Sequence, residues 1–132
     1  MARLMVDGAS LEYETESYLL YTESVDPYTV RVETLPTDGA HGAAAGDIDG
    51  DGLPEVVFTN HGDSYTTIHP TTVYWNGPHG FSADAVLTLP ALGGHGASVA
   101  DVNGDGLLDL VVSNYYDGHG RTLPSYVHLN EG

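Results

Sequence analysis

One nine-residue pattern occurs twice in the chain and limits what it can fold into: Asp47-Ile-Asp-Gly-Asp-Gly-Leu-Pro-Glu55 and Asp101-Val-Asn-Gly-Asp-Gly-Leu-Leu-Asp109. In each copy, oxygen-bearing side chains stand at positions 1, 3, 5 and 9. Glycines fill positions 4 and 6, and position 7 is a leucine that offers only its backbone carbonyl. This arrangement suits a hard divalent cation. Calcium takes about six to eight oxygens from carboxylates, amide or backbone carbonyls and water, and a glycine at position 6 permits a sharp turn. The simpler reading is a pair of Asp/Gly-rich hairpin turns that bind nothing. A turn needs only one Asp-Gly, however, and not four ligands held in phase and repeated.

The residues after the pattern decide its setting. An EF-hand loop closes with a glutamate at position 12 and joins two helices. Here position 12 is Phe58 or Val112, inside the runs Val56-Val-Phe-Thr and Leu110-Val-Val-Ser. These β-branched, apolar runs read as strands. The closing carboxylate is then position 9, and the loop joins strand to strand.

The stretches AGDIDGDGLPEVVFTN and VADVNGDGLLDLVVSN resemble the FG-GAP and VCBS repeats, the calcium-loop blades of integrin-α-like β-propellers. The resemblance implies four-stranded blades with the calcium loop between the innermost strand and the second. It also implies an extracellular or cell-surface setting, with cell adhesion or ligand binding more often than catalysis. Carried onto this sequence, the metal ligands would be Asp47, Asp49, Asp51, the Leu53 carbonyl and Glu55 at one site. At the other they would be Asp101, Asn103, Asp105, the Leu107 carbonyl and Asp109, giving two structural Ca2+ ions. Asn103 supplies a neutral oxygen where the first loop has a carboxylate, so the second site is expected to be the weaker.

The pattern belongs to a longer repeat. An offset of 54 residues aligns His41–Asn60 with His95–Asn114, ten of the twenty pairs being identical. The same offset pairs Pro70 with Pro124, Val73 with Val127 and Asn76 with Asn130, and backwards it pairs Leu35-Pro36 with Leu89-Pro90. The chain therefore reads as about two and a half units in a single repeat domain, 1–132: a partial blade over 1–40, a complete one over 41–94 and a partial one over 95–132. Within the complete unit, strands are expected at Gly42–Gly46, Glu55–Thr59, Thr71–Asn76 and Asp84–Leu89. Small residues in the first suit a crowded axis. The first unit would retain strands at Arg3–Val6, Ser17–Thr22 and Pro27–Leu35 but lack its innermost one, and the last unit would lack its outermost. No segment shows a helical period with caps. The fold class is all-β, with propeller-like four-stranded antiparallel blades incomplete at both ends.

Incomplete units leave unpaired strand edges, which template pairing with another chain. Closed propellers have four to eight blades. The expectation is a piece of something longer, or a chain that completes itself with other copies by strand addition into a ring or filament. A starting methionine and an ending at Glu131-Gly132 fit a designed boundary as well as a natural one.

Nineteen acidic residues against three arginines and no lysine give a formal net charge of −16. Such a surface repels phosphate backbones and anionic lipid, which argues against nucleic-acid or membrane partners, and no apolar run is long enough to span a bilayer. The first residues show no signal-peptide pattern, although a removed leader would leave none. Having no cysteine does not exclude the outside of a cell when metal ions brace the fold.

Other residues offer less. His41 and His95 share a repeat position and would sit at one mouth of a central channel; each is expected to bond a backbone carbonyl in preference to a metal. The remaining histidines, at 61, 69, 79, 119 and 128, read as scattered surface residues. Trp75, Tyr74, Tyr115, Tyr116 and Tyr126 could form a sugar-stacking platform, but third-strand aromatics more often fill the layer between neighbouring units; Tyr115 and Tyr116, in an expected loop, are the better candidates for stacking on a sugar. Thr66, Thr67, Thr71 and Thr72 form a threonine-rich stretch suited to O-linked sugar. Ser64 and Ser98 lack the context of a nucleophile, so no enzymatic activity is expected. The alternative function is a carbohydrate- or protein-binding module, a lectin-like piece of a receptor that recognises glycan or a cell-surface protein.

Overall fold

Strand pairing is what these residues can best do, and ten strands form among the described residues of the computed structural model. The structure describes residues 31–62 and 69–132, together with the backbone of three strands before residue 21. The chain divides into two units, Met1–Thr34 and Leu35–Gly132.

In the first unit, β1 (Ala2–Val6), β2 (Ala9–Glu14) and β3 (Tyr18–Leu20) form an antiparallel sheet in the order β1-β2-β3. β1 is the strand expected at Arg3–Val6, and β3 falls within the expected Ser17–Thr22. β2 departs from the sequence reading. Its alternation of Leu11 and Tyr13 with Ser10, Glu12 and Glu14 is a half-buried strand pattern, and the register Val6↔Ala9 sets it two residues beyond β1, across an Asp-Gly hairpin signal. Residues 31–35 form no strand, so the strand expected at Pro27–Leu35 is not made there, and 27–30 lie outside the described residues. The offset of 54 places β1 and β3 opposite two strands that pair directly in the next repeat, yet here β2 stands between them.

The second unit carries the repeat. β4 (Ala40–Gly46), β5 (Glu55–Asn60), β6 (Thr71–Tyr74) and β7 (Val86–Leu89) form a four-stranded antiparallel meander, the blade that the alternation predicts. β8 (Gly94–Ala100), β9 (Asp109–Asn114) and β10 (Tyr126–His128) form a three-stranded sheet on the same plan, without a fourth strand among the described residues. Val57↔Val73 in one sheet corresponds to Val111↔Val127 in the other. The repeat therefore holds at the level of register.

The core lies where the two sheets pack together. Val57, Val73, Ala91, Leu110 and Val112 are buried, with Ala44, Ile48, Leu89, Ala97 and Val99 against them. Burying a valine contributes about 1.5–3 kcal/mol. Glycine and alanine along β4 let β8 approach: a Cβ on Gly42 would fall 2.8 Å from the Gly96 Cα. This is the physical content of the small-residue first strand.

Side-chain amides, buried at Asn60 and half-buried at Asn114, tie each sheet to the segment before it. Asn60 donates to the Pro70 carbonyl at 2.8 Å and to Thr72 Oγ1 at 2.9 Å, while its own oxygen accepts from Asp38 N at 3.2 Å. Asn114 repeats this, donating to the Pro124 carbonyl at 2.8 Å and accepting from Leu92 N at 3.0 Å. A buried amide must be satisfied in this way. Thr71 and Thr72 are buried, so neither offers the exposed hydroxyl expected of a glycosylated stretch; Ser64, Thr66 and Thr67 lie outside the described residues.

Candidate metal centre

Each acidic pattern forms the loop between the first and second strands of its sheet: residues 47–54 join β4 to β5, and 101–108 join β8 to β9. Both loops turn on glycines in the left-handed region, at φ 78° and 91° for Gly50 and Gly52 and 79° and 91° for Gly104 and Gly106. A Cβ at any of the four would meet nothing within 4 Å, so glycine is required here by conformation and not by crowding.

In the first loop the chain aims carboxylates at a common point. Asp47, Asp49 and Glu55 each offer an oxygen, and these atoms all lie within 4.8 Å of one another. Glu55 opens β5 and is fully buried. Its Oε2 accepts from Ile48 N at 2.6 Å and its Oε1 from Asn76 N at 3.4 Å. Asp47 Oδ2 accepts from Gly52 N at 3.0 Å, but its Oδ1 is buried with no hydrogen-bond donor. A buried carboxylate oxygen without a donor is costly unless a cation meets it. Three carboxylates this close also repel one another until a positive charge is placed between them. The donor set is all oxygen, which fits calcium. Asp51 is exposed, and its Oδ1 accepts from Leu53 N at 2.8 Å, holding the turn that carries the Leu53 carbonyl.

The second loop has the same path with its oxygens differently engaged. Asp109 is the buried counterpart of Glu55, accepting from Val102 N at 2.9 Å and Asn130 N at 2.9 Å. Asp101 is drawn into backbone contacts on both oxygens: Oδ1 accepts from Gly104 N at 2.7 Å and Asp105 N at 3.1 Å, and Oδ2 from Gly106 N at 2.9 Å. The Asn103 amide donates to Asp105 Oδ2 at 2.9 Å. Asp105 Oδ1 accepts from Leu107 N at 2.8 Å, matching Asp51 and Leu53. Among the described residues, the first loop forms a convergent acidic group and the second does not.

The backbone N–H groups of Asn130 and Val102 hold the Asp109 carboxyl below its ordinary value. Its folded-state value thus lies below the unfolded one, so its contribution to stability is complete above the ordinary carboxylate range and disappears as the pH falls through the lower folded value. In chelator, the urea midpoint should fall on acidification through that window, and Asp109→Asn should flatten the acid limb. Chemical denaturation at a series of pH values checks this.

The aromatic residues are placed as follows. Tyr74 is buried, edge-on to Phe58 at 6.2 Å, with its hydroxyl donating to the Pro36 carbonyl. Trp75 lines a groove between the two sheets, which is the interlayer role expected of it. Tyr126 meets His128 edge-on at 5.9 Å, and the Tyr116 hydroxyl donates to the Gly118 carbonyl at 2.9 Å. Tyr115 stacks among histidines, with the Arg121 guanidinium 4.7 Å from its ring centroid. His61, read as a surface residue, is buried beside His41. The offset of 54 pairs it with Tyr115, and that shared ring position was the available signal. Backbone carbonyls beside His41 and His95 are bonded by the neighbouring hydroxyls: Thr59 donates to Gly42 O and Ser113 to Gly96 O, each at 3.3 Å.

No curated protein and no solved structure gives a significant match to the chain. The FG-GAP-like repeat model matches residues 47–112, which begin at Asp47 of the first loop, run through the second and end in β9. That span is half of the chain, and its sheets are the antiparallel meanders such blades are built from. The chain belongs to the FG-GAP-like repeat family.

Proposed function

We propose that the chain is a non-enzymatic, calcium-braced structural or adhesive module that works outside the cell or at its surface. Each of the two loops holds one Ca2+, through Asp47, Asp49, Asp51, the Leu53 carbonyl and Glu55, and through Asp101, Asn103, Asp105, the Leu107 carbonyl and Asp109. The first site is the tighter. The observation that carries this reading is the buried Asp47 Oδ1, which has no donor and stands beside Asp49 and Glu55. The ion neutralises carboxylates that otherwise repel, and it fixes the hairpin from which the rest of each sheet is registered. FG-GAP repeats are typically non-catalytic, which supports a structural role.

The unit completes its sheets by strand addition from other copies. Two features support this. β10 ends its sheet with Val127 and the following Leu129 exposed, and β7 at the edge of the other sheet exposes Val86 and Leu87. Apolar edge strands are templates for pairing. Light scattering on calcium-saturated protein should give a mass of several chains, and negative stain should show rings or filaments. A strict monomer at all concentrations would remove the assembly half of the proposal and leave the calcium half standing.

The rival reading is a glycan- or protein-binding module, favoured by Trp75 in the groove that Ile48, Leu108 and Leu129 also line. That groove is about 190 Å³, below the ~300–1,000 Å³ usual for ligand sites. A monomer that binds glycans on an array would favour the rival. The net charge of −16 opposes nucleic acid, and among the described residues no helix is long and apolar enough to cross a membrane.

A further inference from the structure

Four rings from two repeats meet at one end of β4 and β8. His41 and His95 are each the extra residue at a register shift. Ala40 faces Asn60 while Gly42 faces Thr59, and Gly94 faces Asn114 while Gly96 faces Ser113. A one-residue bulge re-aims the side chain it carries, and bulges concentrate beside functional sites. The close approach of Gly42 to Gly96 brings the two bulges together, so the His41 and His95 ring centroids lie 5.0 Å apart. His61, the first residue after β5, lies 5.0 Å from His41. Tyr115 closes the group at 5.2 Å from His95 and 6.2 Å from His61. His61 and Tyr115 are anchored alike, His61 N donating to Gly39 O at 2.9 Å and Tyr115 N to Gly93 O at 3.0 Å.

We propose that His41, His61 and His95 form a nitrogen-donor site for a first-row transition-metal dication of the zinc, copper or nickel kind, separate from the oxygen loops. Spacing supports it. With metal–nitrogen bonds of about 2.0–2.1 Å and a tetrahedral angle, two imidazole centroids on one ion stand about 5 Å apart. Donor chemistry supports it too. Imidazole suits zinc, copper and nickel, whereas calcium takes hard oxygens, so the two kinds of ion sort themselves between the two kinds of site.

Binding requires the rings to turn until one nitrogen of each faces the shared space, since as the rings stand the three do not bring a nitrogen each within 4.8 Å of one another, as the Asp47, Asp49 and Glu55 oxygens are. His41 and His95 are exposed and have room to turn, and they leave the ion a path in; buried His61 is the fixed member. Burial, with the neighbouring His41 and His95, holds the His61 pKa below its ordinary value, so its imidazole is neutral and able to coordinate at neutral pH. Three further polar groups flank the cluster. Arg121 lies over the outer ring, Tyr115, and His69, paired with the Asp38 carboxylate, acts on His61. The net charge of −16 draws cations to the whole surface and outweighs the single arginine.

The test uses protein already saturated with calcium. Zn2+ is titrated by calorimetry and Cu2+ by electron paramagnetic resonance at neutral pH. One equivalent should bind, with hyperfine coupling to at least two imidazole nitrogens, and binding should weaken sharply at pH 5. His41→Ala, His61→Ala and His95→Ala should each weaken it at least tenfold, a loss that even outer-shell changes can cause. His79→Ala, on an exposed loop, should leave it unchanged. Calcium binding in the same samples reports folding, and His61→Gln replaces His61→Ala if that variant does not fold. Wild-type affinity in the three variants, or wild-type binding no tighter than that of the triple variant, overturns the proposal.

Discussion

Adding excess EDTA to calcium-saturated protein should lower its melting temperature by tens of degrees. An ion bound only by the folded state at one hundred times its Kd adds about 2.7 kcal/mol of stability. In a domain of 60–100 residues, each kcal/mol moves Tm by about 4–8 °C. One occupied loop is then worth roughly 10–20 °C and two loops up to twice that. The effect is large because the loops sit at the root of each sheet. β4 and β5 are joined by residues 47–54 and carry Val57 of the core between them, and β8 and β9 carry Val112 by the same means. Scanning calorimetry in calcium and in EDTA checks it, and readdition of calcium should restore the higher transition.

The second large effect is expected at Glu55, from both the ion and the fold. Its carboxylate is fully buried and accepts from Ile48 N at 2.6 Å. Glu55→Ala removes a proposed ion ligand and leaves that N–H without its acceptor, a loss of about 1–3 kcal/mol apart from the ion. The variant should therefore melt below wild type even in EDTA, and the gap should widen in calcium. Asp49→Ala, at an exposed position where water replaces the bond its Oδ1 accepts from Asp51 N at 3.1 Å, should show chiefly the calcium-dependent loss. Comparing the two variants in both conditions separates ligand from scaffold.

The parts of this molecule legible in the sequence are those fixed by local chemistry. Glycines at 50, 52, 104 and 106 mark backbone that only glycine adopts cheaply, and all four have positive φ. The valines of β5 and β9, the Asn60 and Asn114 amides and the small residues of β4 and β8 keep their spacing across 54 residues, so an offset finds them. What was not legible depends on contacts between segments distant in sequence. A bulge adds one residue without changing composition, so His41-Gly-Ala-Ala-Ala-Gly gave no sign of where the register shifts. His61 is buried only because His41, Gly39 and Tyr115 surround it, from other strands and another repeat. In the first unit the offset misled. β2 stands between β1 and β3, whose counterparts β5 and β6 pair directly, and the strand expected at Pro27–Leu35 is not formed over the described residues 31–35. The difference between the two loops was half visible: Asn103 sets the second loop apart in the sequence, but the turning of both Asp101 oxygens to backbone N–H groups appears only in three dimensions.

Counting calcium is the most direct measurement of the ion brace. Calorimetric titration of EDTA-stripped, dialysed protein should give two equivalents per chain, the tighter one abolished by Asp47→Ala and the weaker one by Asp101→Ala. A wild-type chain that takes up no calcium at millimolar concentration would contradict the brace, and so would an Asp47→Ala chain that keeps both ions.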